Sequence, residues 1–360
     1  KTAVINVEDL YDQFSYGIKE HAISFRNFAQ YINGRWPDFE LAFLVGKALS
    51  YGNRNKNTGI ESLVPTYGKP GSDILLFTEK GLTYPFVGVG RLAARTKEDV
   101  ANYLDKAQGH AALAELNNRT VEERMWMKDV IHLSGGDPGI QQQLFNHLSS
   151  MKSIIENSAY SGNVTTYRKT SSDPVTTALS QQILQNINNG ISMLTFFGHS
   201  SAGTFDFSVE DPDDYENTGK LPLILSMGCK SGDIHETVYS LSEDMILTKD
   251  KGAIAFVASS GAAFPTPLSV LGKDFYSKVC NEFYGKSVGL ALRKLSEDLF
   301  DPQSTKVRTL HEQNTLHGDP AVVLFNTEAP DYVVDFASIT SGGDVGATDE
   351  KIELSFDIVN

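Results

Sequence analysis

Two short segments carry the side chains best suited to covalent catalysis. Gly198-His199 ends one apolar run and Gly228-Cys229 ends another. A glycine before the reactive side chain lets the backbone turn tightly and leaves amide groups exposed. If the two runs are neighbouring parallel strands, imidazole and thiol meet at the carboxyl edge of the sheet. The sequence therefore predicts a His199/Cys229 dyad in which the sulfur attacks a peptide carbonyl and the imidazole protonates the leaving amine.

Backbone N–H groups beside these two side chains are candidates for binding the oxyanion that forms during acyl transfer. They belong to Cys229 and to Ser200, the residue after the histidine. The second cysteine, Cys280, falls in an amphipathic helix predicted over residues 275–283, and we expect it to be buried and inert. The contexts of the two cysteines differ so much that we expect no disulfide between them.

Other functions fit parts of the same pattern. Residues 198–202 resemble a Gly-x-Ser-x-Gly nucleophile elbow that lacks its last glycine, with Ser200 as nucleophile and His317 as base, but the elbow requires a helix that residues 203–207 do not favour. A catalytically silent surface or adhesion module would also keep the fold. Metal catalysis has little support, because the eight histidines are scattered and no His-Glu-x-x-His occurs. We expect no cofactor; a surface calcium site at Asp211 to Asp214 stays open, with solvated charge as the default.

The elements that must position these residues alternate between strands and helices. Apolar runs predict strands over residues 3–7, 41–45, 86–89, 130–133, 164–167, 191–197, 221–227, 253–258 and 321–325. Helical periodicity begins at Phe25 and at about Ile140, and another helical segment passes through Leu179. A further helix begins at Thr96, which forms a capping-box variant with Asp99. Continuous apolar strands separated by helices are typical of a parallel sheet covered on both faces, so the fold class is α/β.

Composition excludes several classes of protein. The 31 basic and 45 acidic residues leave a formal charge of −14, which argues against a nucleic-acid-binding protein. No apolar run reaches the length of a membrane span. The chain begins at Lys1 without a signal-peptide pattern, so we expect any targeting segment to have been removed. We predict an N-terminal α/β subdomain (1–126), a catalytic subdomain (127–328) and, from the period-two alternation in 351–358, the start of a β-sandwich (329–360).

The two segments and their order resemble those of the gingipain-type cysteine peptidases, which have a caspase-like fold (clan CD). Matching motifs extend over about residues 1–328, including residues 44–46, 64–67, 87–92, 252–256 and 316–320. Residues 7–11 and 14–17 look most similar to the sortase branch of type IX secretion. The resemblance implies two subdomains followed by an immunoglobulin-like domain, and a His199/Cys229 dyad. Lys47 stands where the family often has Asp, which argues against a salt bridge there.

The resemblance also implies further site residues. An acidic residue often orients the histidine. In the corresponding loop either Ser134 or Asp137 occupies that position, and Asp137 is the only carboxylate close by, although its place before Pro138 favours a turn role. The substrate pocket would be lined by Ser259, Ser260 and Gly261 on one side and Asp233 on the other. We favour Asp233 as a helix N-cap, and therefore expect little preference for Arg or Lys.

The partners implied are peptides or exported proteins, with type IX secretion components as further candidates. The implied location is secreted or on the outer surface of a bacterium. Either water or an amine would resolve the acyl-enzyme, so both a peptidase and a sortase-like transpeptidase stay open.

Overall fold

The structure is a computed structural model that describes residues 2–54, 59–114, 120–171, 175–209 and 211–325, with short stretches between 333 and 359. Its centre is one eight-stranded sheet in the order β1-β2-β8-β7-β6-β5-β3-β4. The strands are β1 Leu41–Val45, β2 Gly88–Leu92, β3 Asp129–Ser134, β4 Asn163–Arg168, β5 Met193–Phe197, β6 Leu223–Met227, β7 Ala255–Ser259 and β8 Asn314–His317. This arrangement confirms the predicted α/β class with a mostly parallel sheet.

Two parallel blocks make up this sheet. β1, β2 and β8 run parallel to one another, and β7, β6, β5, β3 and β4 form the second block. The blocks meet where β8 pairs antiparallel with β7. Every residue of β5, β6 and β7 is buried, so the middle of the sheet is covered on both faces.

The helices supply these covers. They are α1 Val7–Phe14, α2 Ile23–Ile32, α3 Tyr51–Arg54, α4 Lys97–Ala114, α5 Val121–Arg124, α6 Gln141–Glu156, α7 Thr177–Asn189, α8 Leu241–Leu247, α9 Pro265–Ser277, α10 Val288–Asp298 and α11 Thr305–Glu312. Helices α6 and α9 pack against each other and against β3 and β6, while α8 packs against β7 and α4. A large core fills the five-stranded block, and a second core lies between the N-terminal helices and β1 and β2.

Several predicted elements differ from the observed ones. Residues 3–7 form no strand, because Asn6 accepts a hydrogen bond from the N–H of Glu8 and so caps α1. Residues 321–325 contribute only an isolated bridge at Val323, and the strand is β8 instead. Helix α9 begins at Pro265, ten residues before the predicted helix, and a π-turn over residues 278–282 follows it.

Lys47 also differs from expectation, since it forms a buried salt bridge. Its Nζ lies 2.6 Å from Oε1 of Glu243, and both side chains are fully buried. Burial lowers the pKa of Lys47, and the charge and hydrogen bond of Glu243 oppose that shift. This ion pair ties the loop after β1 to α8.

The chain beyond Phe325 is described only in short stretches. β9 Val333–Val334 pairs antiparallel with β12 Ile358–Val359, and β10 Thr340–Ser341 pairs antiparallel with β11 Leu354–Ser355. Most of the predicted sandwich segment 329–360 lies outside the described residues, so the immunoglobulin-like extension stays a prediction. The proposed boundaries at 126 and 328 stay predictions as well.

Candidate active site

The loops after four neighbouring strands share one edge of the sheet. β3, β5, β6 and β7 are adjacent and parallel, so their carboxyl ends lie side by side. Asp137 follows β3, His199 follows β5, Cys229 follows β6 and Ala263 follows β7. This is the edge at which open α/β sheets bind ligands.

Cys229 is half-buried at a tight turn after β6. Its Sγ lies 3.5 Å from the backbone N of Ala263, which donates to it, and 3.6 Å from the carbonyl oxygen of the same residue. The next residue, Lys230, has a φ of +59°, and its N–H donates to the carbonyl of Gly261. A non-glycine residue in this left-handed region is strained, and such strain concentrates at functional sites.

His199 is the exposed imidazole of the edge. Its Nε2 lies 3.1 Å from Oδ2 of Asp137, and the side chains are 56% and 78% exposed respectively. The main chain of Asp137 also forms the expected turn, because its carbonyl accepts from the N–H groups of Ile140 and Gln141. The turn interpretation is therefore incomplete: the backbone turns while the carboxylate contacts the imidazole.

Ser200 contacts the turn that carries Cys229. Its Oγ donates to the carbonyl oxygen of Cys229 at 2.9 Å. A Cβ at Gly228 would lie 2.0 Å from that Oγ, so the glycine is required for this close approach. No helix follows Ser200; residues 200–205 instead form a hairpin closed by a bridge between Ser200 and Phe205. The structure therefore lacks the strand-turn-helix context that a serine nucleophile elbow requires.

The predicted pocket side chains lie largely inside the protein. Ser260 is fully buried and donates to the carbonyl of Gly71, while Ser259 is 3% exposed and donates to the carbonyl of Gly261. Asp233 is 7% exposed, and burial raises its pKa. It is not an N-cap, because the next helix, α8, begins at Leu241 with Ser240 as its cap.

An open cleft lies beside these residues. It has a volume of about 220 Å³ and is bordered by the segment after β7, by the start of α9 and by α11. Its lining residues are Ala262, Ala263, Phe264, Pro267, Thr305, Lys306, Thr309 and Leu310. Its lining is mostly apolar, and Lys306 is its charged residue. Ala263 lines this cleft and also contacts the thiol of Cys229.

Buried charges anchor the loop that follows Cys229. The N–H of Ser50 donates to the carbonyl of His235, and Nε2 of His235 lies 3.4 Å from Oδ2 of Asp73. Arg91 holds Asp73 with two hydrogen bonds of 2.7 Å. Burial alone would raise the pKa of Asp73, but Arg91 and His235 hold it well below its usual range. The N-terminal part thus supports the loop that follows Cys229.

His132, His317 and the second cysteine, Cys280, are interior residues. His132 is fully buried in β3, and burial lowers its pKa to about 3. His317 is 1% exposed, and burial likewise lowers its pKa to about 3. Cys280 is fully buried, and burial raises its pKa to about 12. Of the two cysteines, Cys229 is the accessible one.

One contact at this edge was not anticipated from sequence. Oδ2 of Asp206 accepts a hydrogen bond from the N–H of His199 at 2.9 Å and another from the N–H of Gly136 at 2.7 Å. The alternating segment Phe205-Asp206-Phe207 after the histidine was the signal available in the sequence. It shows that the middle residue points away from a buried face, but not what it contacts.

Among the described residues, no three His, Cys, Asp or Glu side chains group as metal ligands. In the acidic loop, Asp211 uses its carboxylate to accept from the N–H of Asp213. Within the same described ranges, no helix is both long and apolar enough to cross a membrane.

Comparison with known proteins places the chain in a family. The chain resembles the Arg-specific cysteine proteinase gingipain R (RgpB), with a TM-score of 0.69 and 17% identity over 98% of this chain and 81% of that one. It also resembles the complex of Porphyromonas gingivalis RgpB pro- and mature domains (TM-score 0.66, 19% identity, 98% and 83% covered). A structure described only as a protease matches with a TM-score of 0.66 and 14% identity, over 89% and 73%. No curated protein sequence matches significantly. The profile of peptidase family C25 matches residues 1–325, and the chain therefore belongs to this family of cysteine peptidases.

Proposed function

We propose that the chain is a cysteine peptidase in which Cys229 is the nucleophile, His199 the general acid and base, and Asp137 the residue that orients His199. The observation that carries the proposal is the hydrogen bond of 3.1 Å between His199 and Asp137, on the strand ends beside that of Cys229. A base oriented by a third group, next to an accessible thiol, is the arrangement that nucleophilic catalysis needs.

The reaction follows from these roles. The imidazole takes the thiol proton, and the sulfur attacks the carbonyl carbon of the substrate peptide. The tetrahedral oxyanion collapses, the C–N bond breaks, and His199 gives its proton to the leaving amine. This step leaves a thioester between Cys229 and the acyl part of the substrate. Attack by water or by another amine then releases the acyl group and restores the thiol.

The oxyanion would be bound by the N–H groups of Ser200 and Cys229. Neither N–H donates to another group within the described part of the chain, so both are available. The bond from Ser200 Oγ to the carbonyl of Cys229 fixes the two turns relative to each other. Preorganised donors of this kind stabilise charge in the transition state without reorganising during the reaction.

The cleft beside Ala262 and Ala263, which directly follow Ser259, Ser260 and Gly261 in the chain, is proposed as the side-chain pocket. Its apolar lining suits an uncharged substrate side chain, and the ammonium of Lys306 disfavours a basic one. Asp233 is buried and does not line the cleft, which agrees with the expected lack of preference for Arg or Lys. In this respect the chain would differ from the Arg-specific gingipain R that it resembles.

Replacing Cys229 by Ala should abolish peptide cleavage, and replacing His199 by Ala should reduce it at least about a thousandfold, since residues of such a unit depend on one another. Cys280→Ala is the matched control and should keep activity. Full cleavage by the Cys229→Ala variant would overturn the proposal. Loss of activity on replacing Ser200, with Cys229 dispensable, would support a serine hydrolase instead.

By the family resemblance, we also propose that the substrates are peptides or exported proteins and that the enzyme acts outside the cell. An amine added to the cleavage reaction separates the two resolutions of the thioester. A product carrying the amine would indicate a sortase-like transpeptidase, as in the type IX secretion branch. Only free carboxylate at high amine concentration would indicate a simple peptidase. A silent surface module would form no thioester at all.

A further inference from the structure

Asp206 lies between the two loops that carry His199 and Asp137 and contacts both. A single oxygen, Oδ2, accepts the N–H of His199 at 2.9 Å and the N–H of Gly136 at 2.7 Å. Gly136 immediately precedes Asp137. One carboxylate oxygen therefore connects the backbone of the proposed base to the backbone beside the residue that orients it. Hydrogen bonds to a charged acceptor are stronger than neutral ones.

The surrounding glycines make room for this carboxylate. A Cβ at Gly135 would lie 2.8 Å from Oδ2 of Asp206, and a Cβ at Gly198 would lie 3.0 Å from the same oxygen. Neither glycine has a positive φ, so space rather than backbone conformation explains why side chains are absent there. The glycine before His199 thus has a second role beyond the tight turn.

Buried aromatic rings hold Asp206 in position. The hairpin after His199 returns the chain to its own strand end, where Ser201 N–H donates to the carbonyl of Thr204. Phe205 stacks on Phe196 with ring centroids 4.2 Å apart, and Phe207 meets the same ring edge-on at 6.3 Å. Both flanking rings are buried, at 9% and 1% exposure. The backbone on either side of Asp206 is therefore fixed to β5.

We propose that Asp206 is a positioning residue that sets the distance between His199 and Asp137 and thereby controls the reactivity of Cys229. The His199–Asp137 pair is exposed on both sides, so little else holds these side chains together. Solvent competes for such a pair, and side-chain entropy opposes it. Fixing both backbones on one oxygen lowers that entropy cost. The inference rests on the proposed function, because it assigns Asp206 to the same dyad.

The test measures the rate at which iodoacetamide alkylates Cys229 in the folded chain. Asp206→Ala should slow alkylation by about tenfold or more, since misplacement of a catalytic group by about 1 Å costs up to about a hundredfold. Asp206→Asn keeps an oxygen acceptor and should recover most of the rate. Gly135→Ala leaves Asp206 present but displaces its oxygen, and should mimic Asp206→Ala. Asp214→Ala, an exposed carboxylate farther along the same loop, is the matched control and should react like the unmodified chain.

The same rate in the His199→Ala background separates positioning from general damage to the fold. If Asp206 acts through the histidine, adding Asp206→Ala to His199→Ala should leave the residual alkylation rate unchanged. A further tenfold loss there would overturn the inference, as would equal rates for Asp206→Ala and Asp214→Ala. If His199→Ala itself does not slow alkylation, the proposed dyad fails instead. Should Asp206→Ala not fold, judged by near-ultraviolet circular dichroism, Gly135→Ala and Asp206→Asn decide the question.

Discussion

The buried salt bridge between Lys47 and Glu243 gives a stability prediction with an internal control. Lys47 and Glu243 are fully buried with 2.6 Å between Nζ and Oε1, whereas Lys19 and Glu8 form a similar pair at 2.9 Å with 70% and 54% exposure. Removing one partner of a buried pair leaves the other charge uncompensated, which costs about 3–5 kcal/mol. Arg95 lies 3.3 Å from the same oxygen of Glu243 and still compensates part of that charge. We therefore expect Lys47→Met to lower the free energy of unfolding by about 3 kcal/mol, the lower end of that range.

Equilibrium unfolding in urea measures this difference. Lys19→Met is the matched control and should leave the free energy of unfolding unchanged, because solvent already screens that pair. The double variant Lys47→Met/Glu243→Gln removes both charges and should be more stable than Lys47→Met alone. A loss below about 1 kcal/mol for Lys47→Met would refute the reasoning, since it would place the pair among ordinary surface pairs. A double variant no more stable than the single one would refute it as well.

Three further predictions concern the cysteines, the buried histidines and the cleft. Brief iodoacetamide treatment at pH 8 should modify Cys229 and spare Cys280, whose burial raises its pKa to about 12; mass spectrometry showing the reverse would contradict the assignment. Because burial lowers the pKa of His132 to about 3 from 6.5, the unfolded chain binds its proton first, and stability should fall as the pH drops from 6.5 towards 3. Urea unfolding at pH 6.5 and pH 4.5 should show a smaller loss for His132→Phe than for the unmodified chain, and equal losses would count against the assignment. Lys306→Glu should increase cleavage after Arg and Lys severalfold relative to cleavage after uncharged residues in a peptide library. Lys251→Glu is the control, because Lys251 does not line the cleft. An unchanged ratio for Lys306→Glu would show that the cleft does not select the side chain.

The sequence predicts the strands that carry the candidate site well because their signal is local. β5, β6 and β7 are continuous apolar runs that end in glycine or small residues, and each was placed within two residues at its start. β8 was missed because Asn314–His317 is a short run with polar residues at both ends. Tertiary contacts decide that this segment is a strand.

The site is harder to predict because its contacts join distant residues. His199 and Asp137 are 62 positions apart, and only the order of β3 beside β5 brings their loops together. The sequence therefore favoured a turn role for Asp137, which describes its backbone but not its side chain. For Asp233 the local context favours a helix N-cap, yet the next helix, α8, begins only after Ser240, which is its cap. In both cases the pattern reports backbone preference, while side-chain partners depend on strand order.

The position of β8 has a consequence for how the protein is made. This strand lies between β2 and β7 and is the last strand of the eight-stranded sheet in chain order. During synthesis, the edges of β2 and β7 both stay open until Asn314–His317 has left the ribosome, and open edges invite aggregation. The contacts of Asp73 with His235 and of Lys47 with Glu243 also join the N-terminal part, with β1 and β2, to the part that contains β7. A nascent chain that ends before β8 would therefore carry every proposed catalytic residue without the strand that joins the two halves, so peptidase activity would arise only late in synthesis.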